Sequence, residues 1–507
     1  MTTGSQQMVQ AAAHVPQLVR IARGTALFAA GTVFGLGLNY VYGIVLARLL
    51  GADDFGLYSL GLALFNVLTV IAIAGLDNAA LKFVADTKAQ GNSNQINGVV
   101  RAALLLSLAF GGIAALLLVF TAHGVAHTVF AKDALEPVLW WFAIGIPAFS
   151  VSAVMIAVLQ ANQDVVWRTS IKYLMEPIVK AVLTLILVWV GWGLEGAIIA
   201  SVAALVGSVM LSLIPLRPFL RRSVSGGGVR GHAGAILSFS SPLLLALLAA
   251  SVANRTDLLL LGYWWPSSDV GIYAAAFQTA TVLTVILGCL ESIATPYLSE
   301  SVAASDWKHT NILYGTVVRW SCVCALPLCL IMLLFPAQIL SIFGPTFQAG
   351  AGCLIILACG HLINAVTACA NNALLWAGHS RRVMWNYLIV AAAQIAADLA
   401  LIPRYGMVGA ACGAFFGLLL MNWLRTWQAS HLIGIHPFPA TLTKPLAAGA
   451  AGVVFLLGVR WLLPQAGPFP QVMLLLGSYV GVLLLLGLEQ DDLRVCRQLP
   501  LIGGVVR

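Results

Sequence analysis

Apolar stretches of about 20 residues, separated by short polar segments, follow one another along almost the whole chain. That length crosses a hydrocarbon core of ~30 Å as an α-helix. In lipid each backbone amide must be satisfied within its own segment, which favours helices over strands, and the alternating pattern of a membrane barrel is absent. Windows of this length predict spans at 24–47, 56–76, 99–120, 137–159, 171–190, 195–215, 236–262, 270–292, 311–335, 350–371, 384–402, 406–428, 445–463 and 470–488. The predicted fold is all-α and polytopic, with fourteen transmembrane helices. The longest connections, 77–98, 216–235 and 293–310, leave no room for a soluble domain.

Short patterns recur within this series. Asp54-Phe55-Gly56-Leu57-Tyr58 returns as Asp269-Val270-Gly271-Ile272-Tyr273, an offset of 215 that also sets Asn39 over Asn254. Gly193-Leu194-Glu195-Gly196-Ala197 resembles Gly406-Met407-Val408-Gly409-Ala410 at an offset of 213. Leu159-Gln160-Ala161-Asn162 resembles Leu375-Trp376-Ala377-Gly378 at 216. Offsets this constant across six helices argue for duplication. An even number of spans per repeat starts both repeats on the same side of the membrane, so the lobes are parallel repeats. The predicted organisation is an N-terminal lobe over 1–215, a cytoplasmic linker over 216–235, a C-terminal lobe over 236–430, and an extra helix pair with a tail over 431–507. The linker rests on Arg221-Arg222 and Gly226-Gly227-Gly228, which combine charge with flexibility. In transporters built this way the substrate site lies between the lobes, which rock about it.

Composition agrees: 60% of residues are hydrophobic and 9% charged. The net charge of +8 is dispersed between apolar stretches, without basic runs interleaved with exposed aromatics, and so does not point to nucleic acid. It reports topology instead. With both termini cytoplasmic, 20 of the 26 Lys and Arg residues fall on the inner side. All nine cysteines lie from Cys289 onward and mostly within spans, as small hydrophobes rather than a disulfide framework or zinc site. The N-terminus lacks a cleavable signal, which makes the first span the insertion signal.

The run Ala47-Arg48-Leu49-Leu50-Gly51-Ala52-Asp53-Asp54-Phe55-Gly56-Leu57-Tyr58, followed by Ala74-Gly75-Leu76-Asp77-Asn78-Ala79, resembles the amino-terminal signature of Wzx-type flippases of lipid-linked oligosaccharides. Their superfamily also contains the multidrug and toxin extrusion antiporters and the peptidoglycan-precursor flippase. Span count and lobe pattern extend the resemblance over the whole chain, whereas residue motifs match over about Arg48 to Lys82. Ala52 stands where the family often has proline, and Lys82 where it often has arginine.

An ionised side chain at mid-bilayer costs roughly 2.5–3.5 kcal/mol, which marks such residues as site candidates. Arg255 in the seventh span is the clearest, its guanidinium suited to phosphate oxygens, with a structural ion pair as the bland alternative. Asp257 is two residues away and points to a different face, so it does not neutralise Arg255. Arg48 either lines the cavity mouth or snorkels. Glu176 and Lys180 have the spacing of a self-neutralised pair, with cation coupling or phosphate binding as alternatives. Asp398 is a candidate for a coupling proton or sodium ion, with Glu176 and Asp257 behind it. Asp77 and Glu291 are predicted to close the second and eighth spans, where hydration accounts for them. Asn39 and Asn254 suit sugar hydroxyls or interhelical bonds equally. Gly226-x-Gly228-x-x-Gly231 follows no strand and is no dinucleotide site. His123 and His127 have the spacing of metal ligands, but lack the accompanying glutamate; no metal is assigned.

The resemblance implies a flippase carrying a polyprenyl-diphosphate-linked oligosaccharide across the bacterial cytoplasmic membrane for O-antigen, capsule or exopolysaccharide synthesis. It further implies membrane lipid as partner, the extra helix pair helping to form a lipid groove, and polysaccharide polymerase and chain-length machinery as associates. No cofactor is expected, and with no Walker sequence the energy comes from an ion gradient or membrane potential. The rivals are a cation-coupled multidrug antiporter of the same superfamily and, less well supported, a membrane-embedded glycan polymerase or ligase, which would need a larger catalytic loop.

Overall fold

The computed structural model describes residues 3–90, 93–221, 228–367, 369–435, 442–462 and 467–487, and among them there is no strand. Linker residues 222–227 and the tail from 488 lie outside the described residues. The chain divides into two compact units, Met1–Arg255 and Thr256–Arg507, a division that falls within the seventh predicted span.

The first unit contains α1 (Thr3–Ile73), α2 (Leu76–Ala89), α3 (Ser93–Gly124), α4 (Leu135–Ala161), α5 (Val165–Thr169), α6 (Glu176–Trp189), α7 (Gly193–Arg221) and α8 (Gly228–Ala253). Helix α1 carries two predicted spans in one 71-residue run, bent at Gly51, whose φ of 77° and ψ of −179° suit a residue without a Cβ. A second break follows at Ala74 and Gly75, both at positive φ, and frees the N-terminus of α2 for Asp77 in its first turn. Helix α3 approaches α4 closely because Gly111 faces Pro147, where an added Cβ would lie 2.9 Å from the proline Cα. The inner surfaces of α2, α3, α4 and α8 join in one apolar cluster that includes Leu76, Val100, Val158 and Ile236.

The second unit contains α9 (Thr256–Trp264), α10 (Ser267–Ala303), α11 (Trp307–Leu334), α12 (Pro336–Leu340), α13 (Ala351–Thr367), α14 (Cys369–Trp376), α15 (Ser380–Ile433), α16 (Thr443–Leu462) and α17 (Pro468–Leu485). Helix α15 again holds two predicted spans, bent at Gly406 (φ 56°, ψ −132°). Beside the bend, Trp265 Nε1 donates to the Ile402 carbonyl at 3.0 Å. Helices α16 and α17 attach through α11: Gly449 meets Leu326, and the Tyr479 hydroxyl donates to Val323 O at 3.1 Å.

Ten helical segments among the described residues are long and apolar enough to cross a membrane, against the fourteen predicted spans. The difference has a physical origin. Two of the ten, Gly31–Ala89 and Ser380–Ile433, are each well over twice the roughly 20 residues a bilayer needs and are bent at glycine. The fifth predicted span falls on α6 and a π-helical turn, Ser170–Met175, and the seventh is split between α8 and α9. The surface is that of a protein in lipid, with Phe120, Trp189 and Leu485 more than four-fifths exposed.

The duplication is visible as matching hydrogen bonds. Ser152 and Ser208 share one of 2.9 Å in the first unit; Thr367 and Asn422, at offsets of 215 and 214, share one of 2.6 Å in the second. Ser150 donates to the Ser107 carbonyl at 2.6 Å. At the equivalent pair the direction reverses, and Ser321 donates to the Ala365 carbonyl, also at 2.6 Å.

Candidate functional site

In the first unit, α1 is set against the π-helical turn by Gly35, whose hydrogen faces the Tyr173 backbone where a Cβ would lie 2.7 Å from its carbonyl oxygen. That contact brings Tyr42 of α1 beside α6. The Lys180 Nζ lies 4.1 Å from the centre of the Tyr42 ring, a cation–π contact. The Tyr42 hydroxyl is 3.2 Å from Thr184 Oγ1, and it also hydrogen-bonds Tyr58, whose own hydroxyl is 3.1 Å from Ser201 Oγ on α7. A half-buried ammonium thus rests at the edge of a chain of buried hydroxyls.

The structure corrects one expected pairing. Glu176 does not neutralise Lys180; both of its oxygens lie 3.1 Å from Lys172 Nζ. Lys172 lies in the π-helical turn Ser170–Met175, and Glu176 at the start of α6 pairs back to it rather than forward to Lys180. Among the described residues no carboxylate forms an ion pair with Lys180.

The second unit places acids where the first has hydroxyls. Asp257, in the first turn of α9, accepts from its neighbour's backbone, Leu258 N, at 2.7 Å and from the Tyr273 hydroxyl at 2.5 Å. Asp398 of α15 lies within electrostatic reach of Asp257 and is fully buried, and neither of its carboxylate oxygens has a hydrogen-bond partner among the described residues. Gly413 makes the space for it: a Cβ there would overlap Asp398 Oδ1. A buried, unpartnered carboxylate is tolerated only if it takes up a proton or a cation. Of the three acids considered for ion coupling, Asp398 and Asp257 come together and Glu176 belongs elsewhere.

Arg255 and Asn254 occupy the two-residue break between α8 and α9, Asn254 exposed and Arg255 half-buried. Among the described residues the Arg255 guanidinium forms no ion pair, with Asp257 or with any other acid. Interrupted helices of this kind present backbone ends and polar side chains to a substrate path in transporters. Arg48 is exposed near the Gly51 bend. Asn39 is also exposed, and its amide donates to Gly35 O at 3.0 Å, a bond within its own helix.

A further polar group was not anticipated. Glu291, expected at a helix end, lies well inside α10, which runs on to Ala303, and it accepts from Asn372 Nδ2 at 3.3 Å. Arg425, which falls inside the predicted span 406–428, is buried within α15 and lies within electrostatic reach of Glu291. The one available signal was the offset itself, which pairs Ser152–Ser208 with Thr367–Asn422 and so flags the helix faces around Asn422 as polar.

Comparison with known proteins accords with this architecture. The chain is 23% identical to stage V sporulation protein B of Bacillus subtilis, with 82% of this chain and 84% of that protein covered. It is 20% identical to a putative O-antigen transporter of Shigella flexneri, over 76% of this chain and 93% of the other. Among solved structures, the lipid II flippase MurJ in an inward closed conformation superposes with a TM-score of 0.73 at 12% identity, covering 90% of this chain and 98% of that one. An inward-facing multidrug resistance MATE family transporter follows at 0.70 and 16% identity, covering 82% and 98%. These structural likenesses establish a transporter fold. The family model described as polysaccharide biosynthesis protein matches residues 45–348, more than half of the sequence, and the chain belongs to that family.

Proposed function

We propose that this protein is a flippase that moves a polyprenyl-diphosphate-linked oligosaccharide across the cytoplasmic membrane by alternating access, for the synthesis of a cell-surface polysaccharide. Membership of the polysaccharide biosynthesis family on a flippase-like transporter fold is the observation that carries this reading. A relative named as an O-antigen transporter and a structural neighbour that flips lipid II supply the substrate class. The relatives and the structural neighbour named as transporter or flippase support a transport role rather than a catalytic one.

The physical problem of the substrate fits the polar groups. A diphosphate and a glycan cannot cross hydrocarbon unaided. Lys180, Arg255 and Arg48 are the cations we assign to the diphosphate, Arg255 foremost because it forms no ion pair among the described residues and stands at a break between helices. Asn39 and Asn254 are assigned to sugar hydroxyls. Asp398 with Asp257 is assigned to a coupling proton or sodium ion, because a buried acid without a hydrogen bond needs a cation to persist in lipid. Both termini are taken to be cytoplasmic on the bias of Lys and Arg, and a polysaccharide polymerase with its chain-length machinery is taken to receive the product.

A multidrug antiporter is the second reading, favoured by the likeness to the MATE transporter and by the acid pair in the second unit. Depletion in the native bacterium separates the two. Build-up of lipid-linked oligosaccharide on the inner leaflet with loss of surface polymer, reversed by wild type but not by Arg255→Ala at equal membrane abundance, is the outcome we expect. Normal glycan traffic with heightened sensitivity to cationic drugs would favour the antiporter.

A further inference from the structure

Helix α3 ends in a single π-helical turn, Val125–Val129, and the chain then reverses through Ala131, whose φ of 50° is unusual for a residue with a side chain. Phe130 N and Lys132 N close the turn on Val125 O at 3.0 Å and Ala126 O at 2.8 Å, and α4 opens at Leu135. This reversal carries Asp133 and Glu136 back over His123 and His127, which share one face of the α3 terminus with ring centres 4.3 Å apart. Glu136 Oε2 lies 3.2 Å from His123 Nδ1 and 2.8 Å from His127 Nε2. The other nitrogen of His127, Nδ1, lies 2.7 Å from Asp133 Oδ1.

The hydrogen-bond count of this cluster does not close with neutral imidazoles. A neutral imidazole has one N–H. If His127 spends it at Nδ1 on Asp133, then Nε2 turns a bare lone pair toward a carboxylate oxygen 2.8 Å away. Two acceptors at that distance need a positive centre between them, either a second proton on the ring or a metal ion.

We propose that His123 Nδ1, His127 Nε2 and Glu136 Oε2 form a site for a divalent transition-metal ion of the zinc class, water completing its shell. The three ligand atoms all lie within 4.8 Å of one another. Tetrahedral ligands at ~2.0–2.1 Å from zinc stand about 3.3 Å apart, close to the spacing between Glu136 and His123. Two imidazoles with one carboxylate is a donor set suited to zinc, nickel or copper rather than magnesium or calcium. Asp133 completes the case independently, because a carboxylate on the far nitrogen of a ligating histidine fixes the tautomer and raises the basicity of the metal-binding nitrogen. The spacing of His123 and His127 offers two ligands; the fold supplies the third from beyond the turn. With His123 and Asp133 largely exposed, an ion can enter from the aqueous surface and tie the end of α3 to the start of α4.

The test is titration of full-length, chelator-stripped protein in detergent with Zn2+, and with Co2+ for its absorption spectrum. Wild type should bind one more equivalent than Glu136→Gln or the pair His123→Ala with His127→Ala, show a tetrahedral cobalt band that those variants lack, and unfold at a higher temperature when zinc is added. Asp133→Asn should bind about 10- to 100-fold more weakly. Glu136→Gln keeps the size and polarity of the side chain, so it serves if the double histidine variant fails to fold. Equal zinc stoichiometry and affinity in wild type and Glu136→Gln would overturn the site. A melting temperature that answers to pH and not to zinc would also overturn it, showing the ring proton to be the positive centre.

Discussion

Equivalent positions in the two units carry different chemistry. Tyr42, Tyr58 and Thr184 hydrogen-bond in the first; Asp257, Tyr273 and Asp398 stand at the same places in the second, at offsets of 215, 215 and 214. Lys180 corresponds to Gln394 at an offset of 214. The scaffold is shared: a tyrosine at the same step after the Asp-x-Gly-x-Tyr turn bonds back to the residue 16 positions earlier in each unit. The positions correspond while the side chains differ, so that the first unit offers a cation beside neutral hydroxyls and the second offers buried acids. Helix continuity diverges as well. The chain runs as helix through Asn39, whereas it breaks at the equivalent Asn254. On the function proposed above, the cation of the first unit would serve the anionic cargo and the acids of the second a coupling cation.

Changes that erase this difference should have the largest effects. Asp398→Asn removes the unpartnered acid and gives the second unit a neutral site like the first. Ion-driven transport should be abolished while thermal stability is kept or raised, as read by proteoliposome flux beside a melting curve; undiminished coupling would remove Asp398 from the ion path. Lys180→Gln installs in the first unit the residue the second already has. Loss of one charge-assisted hydrogen bond, worth about 1.5–3 kcal/mol, should weaken binding of a diphosphate-bearing lipid by about 10- to 100-fold, and unchanged affinity would leave Lys180 as packing on Tyr42.

Smaller effects come from the frame around these groups. Gly413→Ala puts a methyl group where Asp398 Oδ1 now lies, so the carboxylate must turn away. A loss of about 1–3 kcal/mol in unfolding free energy, with coupling impaired as in Asp398→Asn, is expected. Tyr42→Phe removes the bond to Thr184 but keeps the aromatic face under Lys180. It should cost about 1 kcal/mol of stability and leave lipid binding nearly unchanged.

The helical class, the duplication and most span positions were legible in the sequence, because lipid imposes length and hydrophobicity on each segment. The span count was harder to read, since Gly51 and Gly406 bend helices without ending them. Glu176 was matched with Lys180 on helical spacing, but Lys172 stands at the same spacing on its other side and takes both carboxylate oxygens. Glu291 was placed at a helix end because the hydrophobic window stops beside it, whereas α10 continues to Ala303. Tyr42 and Thr184 drew no notice, being uncharged, yet the offset that sets Asn39 over Asn254 also sets Tyr42 over Asp257. Glu136 could not be joined to the two histidines from spacing alone, because the reversal at Ala131 decides where it points.

The most direct measurement is made on purified protein in proteoliposomes loaded with a fluorescent polyprenyl-diphosphate oligosaccharide, following how much of it becomes accessible at the opposite leaflet. Movement that depends on the protein, is lost in Arg255→Ala and outpaces the movement of a neutral lipid of the same tail length is the result this account predicts. Equal rates with and without the protein, beside active extrusion of cationic drugs by the same preparation, would contradict it.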